Sequence, residues 1–493
     1  MMAIAVVAAI VCVAAILAIR YWPFSEKAVR QDLAEASDST VTIGSYHASY
    51  FPPGCTLEGV EFRHGAKQLK LITIQKLVIE GSYSGIFRRH VPRITAIGAR
   101  VYVPPSGGAQ FHSQHSKLVI DELVANGTGV EFISADPRHS PSLVFDIHEA
   151  TLRAVHWGSP IPYRLKFHNP NPPGEIAVEG KFGGWTDGHP QDTPLSGAYS
   201  FDHADLSVYG GIGGILSSKG KFTGVLKHID VSGATDTPDF VVTDGGHRHH
   251  LDTHFDAYVD ATVGDTFLRR VEAHLDRTPL LVEGSIAKAP NGKGKEADLH
   301  FTSRHGRIED LLNLFVSAPR SPMSGDLSFR AHAHLASSQE PFLRAVKLDG
   351  KFGIDKGNFK PETQKDVNEL SAGARGKNKE DPETVLTDLA GAVELNNGVA
   401  HFSDLQFGVP GADARMHGSY NVVNHRIDLH GDLRVATSIS NTSSGMKALL
   451  LKFMSPFFHK KKRGEIVPVH ILGTYEKPQF GLDLGDNNQQ KAK

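Results

Sequence analysis

Cysteine is almost absent from this chain: 493 residues hold two, Cys12 and Cys55. Cys12 lies in an apolar stretch at the start, so Cys55 has no partner in the rest of the chain and a disulfide framework is excluded there. A charge excess of either sign is also missing. The 52 Lys and Arg nearly balance the 54 Asp and Glu, for a net charge of -2. A general nucleic-acid binder needs a strong basic excess, so no nucleic-acid partner is expected. Aromatic residues make up only 8%. The catalytic signatures Gly-x-Ser-x-Gly and His-Glu-x-x-His and the phosphate loop are missing, so no enzyme activity and no cofactor are expected. Gly210–Gly214 is glycine-rich but lacks dinucleotide-site spacing and a following helix, and reads as a turn.

What is present begins with one apolar segment. Met1 to Ile19 carries no charged side chain and is followed by Arg20, Tyr21 and Trp22. About 20 apolar residues cross a bilayer core as a helix, and aromatics beside a cation suit the headgroup zone. Residues 1–22 are therefore expected to be a retained transmembrane anchor. The alternative is a cleaved signal peptide, but the segment lacks a basic start, its core is long, and a small-x-small cleavage site is not evident. Arg20, Lys27 and Arg30 favour the cytoplasm under the positive-inside rule. Large domains translocate largely regardless of charge, so orientation stays open on charge alone.

Beyond the anchor, apolar residues alternate at period two. In Leu251–Ala261 one face carries Leu251, Phe255, Ala257 and Val259, and the other Asp252, His254, Asp256 and Tyr258. In Leu327–Leu335 the faces are Leu327, Phe329, Ala331, Ala333 and Leu335 against Ser328, Arg330, His332 and His334. In Ile427–Val435 they are Ile427, Leu429, Leu433 and Val435 against Asp428, His430, Asp432 and Arg434. Side chains alternate faces along a strand, so each segment predicts a strand of an antiparallel sheet with one wet face. Turn signals lie between such runs: Asn126-Gly127, Asp244-Gly245-Gly246, Asn291-Gly292, Asp349-Gly350 and Asn397-Gly398. At about 14–18 residues per strand and turn, the body would hold about 25–30 strands. At about 4.8 Å each they would span about 120–145 Å in one unbroken sheet.

Helical signals are few: Ser25–Ala36 with Ser25 as N-cap, Ile308–Phe315, and Ser443–Phe458. Candidate linkers are Pro104–Gly108, Asn169–Gly174, Ala289–Glu296 and Ala372–Pro382, the last reading as a mobile loop. The organisation read from these features is an anchor (1–22), a short juxtamembrane helix (23–39), a β-rich region (40–320), a second β region (321–484) with the loop near 372–382, and a flexible tail (485–493).

Histidine numbers 27, densest at His247, His249, His250 and His254 beside Asp244 and Asp252. His and Asp can ligate zinc-like metals. However, His254, His332, His334 and His430 fall on wet strand faces, which need no ligand to explain them, and no metal site is expected. The run His459–Arg463 follows the apolar Leu449–Phe458. It reads either as an anionic-membrane contact or as a solvated loop beside a helix capping the sheet.

Several stretches carry a resemblance. Leu389–Phe402 (LAGAVELNNGVAHF), then Gly411, Gly418-Ser419-Tyr420 and Ile427–Leu429, and finally Val467–Val469, Gly473-Thr474 and Pro478–Phe480, resemble the C-terminal domain of AsmA-like bacterial envelope proteins. Ile229–Gly233, Pro238–Phe240 and Phe255–Val271 resemble that family's central passages. The resemblance implies a single-pass protein of the inner membrane with its bulk in the periplasm. It also implies an elongated, curved antiparallel sheet whose apolar groove handles phospholipid for the outer membrane. The expected partners are phospholipid and the membrane. The expected groove lining, from the alternation, is Phe255, Val259, Phe329, Leu429 and Leu433. An alternative reading is a scaffold or chaperone-like factor for outer-membrane protein assembly, with envelope proteins as partners and no bound lipid.

Overall fold

A computed structural model describes residues 23–65, 68–88, 90–103, 119–133, 142–156, 158–183, 190–243, 246–289, 294–315, 320–337, 340–374, 384–435, 466–474 and 477–482. The expected anchor (1–22), the helix at Ser443–Phe458, the basic run His459–Arg463 and the tail lie outside the described residues. No helix of the described residues is long and apolar enough to cross a membrane.

The described chain is mainly β. It holds β1 (Thr40–Thr42), β2 (Ser45–Tyr50), β3 (Pro53–His64), β4 (Leu69–Glu80), β5 (His90–Val103), β6 (Val119–Phe132), β7 (Leu143–Val155), β8 (Ile161–Pro170), β9 (Pro173–Phe182) and β10 (Pro194–Asp205). There follow β11 (Ile212–Gly213), β12 (Ile215–Val225), β13 (His228–Val242), β14 (His249–Asp260), β15 (Asp265–Leu275), β16 (Thr278–Lys288), β17 (Lys295–Arg307) and β18 (Met323–Leu335). The last are β19 (Val346–Phe359), β20 (Thr387–Asn396), β21 (Val399–Val409), β22 (Ala412–Asn421), β23 (Arg426–Val435), β24 (Ile466–Thr474) and β25 (Lys477–Leu482). The helices are α1 (Glu26–Ser37), α2 (Tyr83–Arg88), α3 (Ile308–Phe315), α4 (Phe342–Ala345) and α5 (Pro361–Ala374).

Contacts divide the chain into two compact units. The first comprises residues up to Ala204 with Ser217–Val231 and Asp260–Thr262; the second comprises Asp205–Leu216, Ser232–Val259 and the residues from Val263 onward. The boundary read from sequence at 320/321 falls inside the second unit.

In the first unit each strand from β2 to β10 pairs with the next. All these pairs are antiparallel except β5–β6, which is parallel, a departure from the expected antiparallel sheet. The intervening segment, 104–118, is long enough for the crossover that a parallel pair requires. The Asn126-Gly127 signal is not a hairpin but an irregularity inside β6. Gly127 (φ 60°) and Gly98 of β5 (φ 63°) occupy the left-handed region, where a side chain would be strained. The linker read at Asn169–Gly174 is the tight turn between β8 and β9.

α1 forms as expected. Ser25 is extended, and its hydroxyl accepts from the Ala28 N–H at 3.4 Å. The helix packs with Phe24, Val29, Leu33 and Ala34 onto Cys55, Leu57, Leu77, Ile79 and Ile94. The Cys55 thiol is buried there, and burial pushes its pKa up to about 11, which keeps it out of thiolate chemistry.

In the second unit, β15 to β25 pair in sequence order, all antiparallel. Asn397 (φ 49°) and Gly398 (φ 72°) close the β20–β21 hairpin with both central residues at positive φ, as a type I′ turn demands. Asp349-Gly350, read as a turn, instead lies inside β19: Asp349 pairs with His332 and Glu394, and Gly350 with Ala331 and Val393. Glycine is needed here for close approach. A Cβ on Gly350 would meet the Arg330 carbonyl oxygen at 2.7 Å.

α3 spans the expected Ile308–Phe315 and lays Ile308, Leu311 and Leu312 on Met323, Leu327 and Ile354. Its first turn is pinned by Asp310. The Thr278 hydroxyl (2.9 Å) and the Arg277 backbone N–H (3.2 Å) donate to one carboxylate oxygen, and the Arg277 guanidinium donates to the other at 3.3 Å. Asp310 is buried, so Asp310→Ala strips the Arg277 N–H of its acceptor and leaves the Thr278 hydroxyl only the Arg307 carbonyl at 3.3 Å, and is expected to cost about 2 kcal/mol. Chemical denaturation reads this directly; a loss near zero would show that water replaces the carboxylate.

α5 was not anticipated, and it takes in the first residues of the expected loop Ala372–Pro382; Ala372 is buried. Its buried residues are mixed: Val367 packs with Val385, Val409 and Ala412, and Gln364, Asn368 and Ser371 are polar. Gln364 donates to Asn368 (2.7 Å) and to the Val385 carbonyl (2.9 Å), and Ser371 donates to the Pro410 carbonyl (2.7 Å). A helix docked partly through polar side chains leaves little apolar periodicity to detect.

Candidate functional site

Strand register brings the alternating residues of distant segments into continuous rows. Directly paired residues share a face. In the first unit one such row runs Tyr46, Leu57, Leu77, Ala96, Ala125, Ala150, Leu165, Val178, Tyr199. Beside it runs Cys55, Ile79, Ile94, Leu123, Leu152, Tyr163. In the second unit a row runs Val271, Val282, Phe301, Ala331, Gly350, Val393, Phe402, Gly418, Leu429, Ile471. No charged side chain interrupts any of the three.

Burial fades along these faces. In the first unit Leu57 is 0% exposed and Leu77 4%, under α1, whereas Leu165, Val178 and Tyr199 are only half-buried. In the second unit the residues near α3 and α5 are buried: Leu327, Ile354, Val409, Ala412 and Val435. The row through Phe301, Val393, Phe402 and Leu429 is half-buried. Each helix shields the part of the face it packs on, and the remainder stays partly open. Tyrosines on the partly open rows have apolar surroundings: desolvation raises the Tyr163 hydroxyl to about 12 and also raises that of Tyr199. An open hollow of ≈ 1200 Å³ lies across β17 to β21; its lining is mixed, with Phe301, Phe329, Phe352 and Phe402 beside charged residues such as Arg330 and Lys351. A second, of ≈ 660 Å³, crosses β8, β9, β10 and β12 and includes Leu165, Val178 and Tyr199.

The five residues expected to line a groove are all half-buried strand residues. Phe329, Leu429 and Leu433 share the apolar face of the second unit. They are partly committed to packing: Phe329 against Met323, Leu327 and Ile354, and Leu429 and Leu433 against Leu405, Ala414 and Met416. On β14 the alternate residues Asp252 and Asp256 meet His274 (3.3 Å) and Arg269 (3.1 Å) of β15. Phe255 and Val259 therefore point to the opposite, apolar side. Neither joins a packed cluster of the described residues, and nor does Phe301, which the sequence reading missed. Phe301 escaped notice because only register aligns it with Phe402 and Leu429.

The opposite faces are polar and ion-paired. Arg164 meets Glu179 at 3.0 Å, Lys166 meets Glu149 at 3.1 Å, and His430 meets Asp428 at 2.9 Å. The dense histidine cluster is dispersed by the strand itself. His249 is buried against Asp276 (2.5 Å), while its neighbour His250 turns to the other side and meets Asp236 at 2.6 Å. That hydrogen bond raises the His250 pKa.

Register instead gathers histidines that are far apart in sequence. His300 pairs with His332, and His332 with Asp349; Asp298 pairs with His334. His332 Nε2 lies 3.1 Å from Asp298 Oδ1, and its Nδ1 lies 3.2 Å from Asp349 Oδ1. The hydrogen bond to Asp298 raises the His332 pKa. Compared with protein-family models, with curated proteins and with solved structures, the chain matches none of them.

Proposed function

We propose that this chain is an AsmA-like, single-pass protein of the bacterial inner membrane whose periplasmic sheet carries phospholipid acyl chains on its apolar faces. The observation that carries the reading is the apolar row across ten strands of the second unit, buried at Val271 and Val282 and half-open over the eight strands from Phe301 to Ile471. At about 4.8 Å per strand the half-open part has a contour of about 34 Å, comparable to the roughly 30 Å hydrocarbon thickness of a bilayer. Partly open apolar surface of this extent marks an interaction site. Acyl chains suit it because they ask for no hydrogen bonds, and the half-buried face supplies none. The wet, ion-paired faces keep the protein in water. No catalytic residue is required.

Proximity to a membrane is supported by exposed aromatics near the end of the expected anchor. Tyr50 (51% exposed), Phe51 (88%) and Tyr83 (50%) crowd together, with the Tyr83 hydroxyl donating to the Tyr50 carbonyl at 2.7 Å. Phe24 packs into the same end of the unit, against Gly81. Amphipathic rings of this kind favour the membrane–water interface.

Native mass spectrometry with lipid extraction, on protein purified without lipid-stripping detergent, tests the proposal. Phospholipid at a reproducible stoichiometry is expected. A stably folded, lipid-free chain would overturn the reading and favour the scaffold alternative.

A further inference from the structure

We propose that Asp298, His300 and His332, on adjacent strands of the polar face of the second unit, bind one divalent transition-metal ion of the zinc class. Three observations carry this. First, one ligand atom from each residue falls within a sphere of mutual distances of 4.8 Å. Second, the Asp298 carboxylate is approached by three imidazoles rather than one: His332 at 3.1 Å, His334 at 3.6 Å and His300 at 4.0 Å. Elsewhere on the wet faces a carboxylate meets one imidazole, as in His250–Asp236, His274–Asp252 and His430–Asp428, or two, as where His148 and His168 approach Glu175. Third, Asp349 holds His332 by Nδ1 and so aims Nε2 at the cluster. A carboxylate on the far nitrogen of a ligating histidine is the usual support that fixes tautomer and ring orientation.

The backbone makes the arrangement firm. His300 and His332 are directly paired across β17 and β18, and their rings stack with centroids 4.6 Å apart. Asp298 lies two residues before His300 and so shares its face. The donor set is two imidazoles and one carboxylate, with His334 in reach of the second carboxylate oxygen. Imidazole donors suit zinc, nickel, copper and iron, whereas magnesium and calcium prefer all-oxygen shells. The cluster is open to water, with the His300 side chain 62% exposed, so an ion enters directly. His300 alternates with Phe301 along β17, so the two side chains take opposite faces, although His300, His332 and Asp349 border the same hollow as Phe301 and Phe402; the donor set needs no bound lipid.

The test is calorimetric titration of zinc chloride into the full chain in detergent, after removal of metals with a chelator. One ion per chain is expected in a saturable first step that excess magnesium does not displace. His332→Ala and Asp298→Asn should each abolish that step, with the far-ultraviolet circular dichroism unchanged. Asp349→Asn, which removes only the orienting partner, should weaken binding about 10–100-fold. His254→Ala and His430→Ala should leave it unchanged. A graded isotherm shared among many equal sites, or a first step insensitive to His332→Ala, would reduce the cluster to general histidine capture and overturn the proposal.

Discussion

Replacing Phe255 and Phe301 together with aspartate is expected to reduce co-purifying phospholipid to background while the chain still folds. Both residues are half-buried, and neither joins a packed cluster of the described residues. Part of each ring already faces solvent, so truncation empties less packed volume than at a buried site. An aspartate opposed to hydrocarbon costs about 3 kcal/mol, so two such changes lower lipid affinity by orders of magnitude. Phe329→Asp is a poorer probe, since Phe329 also supports Met323, Leu327 and Ile354. Lipid extraction and mass spectrometry report the loss, and thermal unfolding reports the fold. If the double variant unfolds, the face is an ordinary closed core and the lipid proposal falls. If it keeps its lipid, the acyl chains lie elsewhere.

The second large effect separates the covered end of an apolar face from its open end. Leu57 and Leu165 lie in the same cross-strand row of the first unit, but Leu57 is 0% exposed under α1 and Leu165 is half-buried. Leu57→Ala is expected to cost about 3–5 kcal/mol, the range for emptying a tightly packed leucine site. At about 2–4 °C per kcal/mol for a unit of this size, the first unit's unfolding midpoint falls by roughly 10 °C. Leu165→Ala should cost at most about 1.5 kcal/mol, because part of that side chain already faces solvent. Calorimetric scans of both variants make the comparison. Equal losses would mean that the face is uniformly buried and that the fading of burial along the row has no energetic content.

Much of the local structure was legible in the amino-acid order. Period-two alternation located β14, β18 and β23, the Asn397-Gly398 turn located the β20–β21 hairpin, and the Ser25 cap located α1. These are short-range properties, set by which side chains a single strand or turn can bury or strain. The misreadings have short-range causes as well. Asp349-Gly350 has turn chemistry, yet it sits in mid-strand because the neighbouring strand approaches too closely for a side chain. Asn126-Gly127 became an irregularity opposite Gly98 instead of a hairpin. α5 stayed hidden because Gln364, Asn368 and Ser371 dock it through hydrogen bonds.

By itself, then, the sequence determined that the described body is built of half-apolar, half-wet strands, because alternation needs only one strand's own residues. Only the tertiary structure decided which residues stand beside one another. Register set Phe301 in line with Phe402 and Leu429, and it brought Asp298 and His300 to His332 and Asp349 across β17, β18 and β19. The parallel β5–β6 pair and the places where helices cover the sheet were decided at the same level. The physical reason is that a one-residue slip between two strands reverses every facing partner while leaving each strand's own pattern intact.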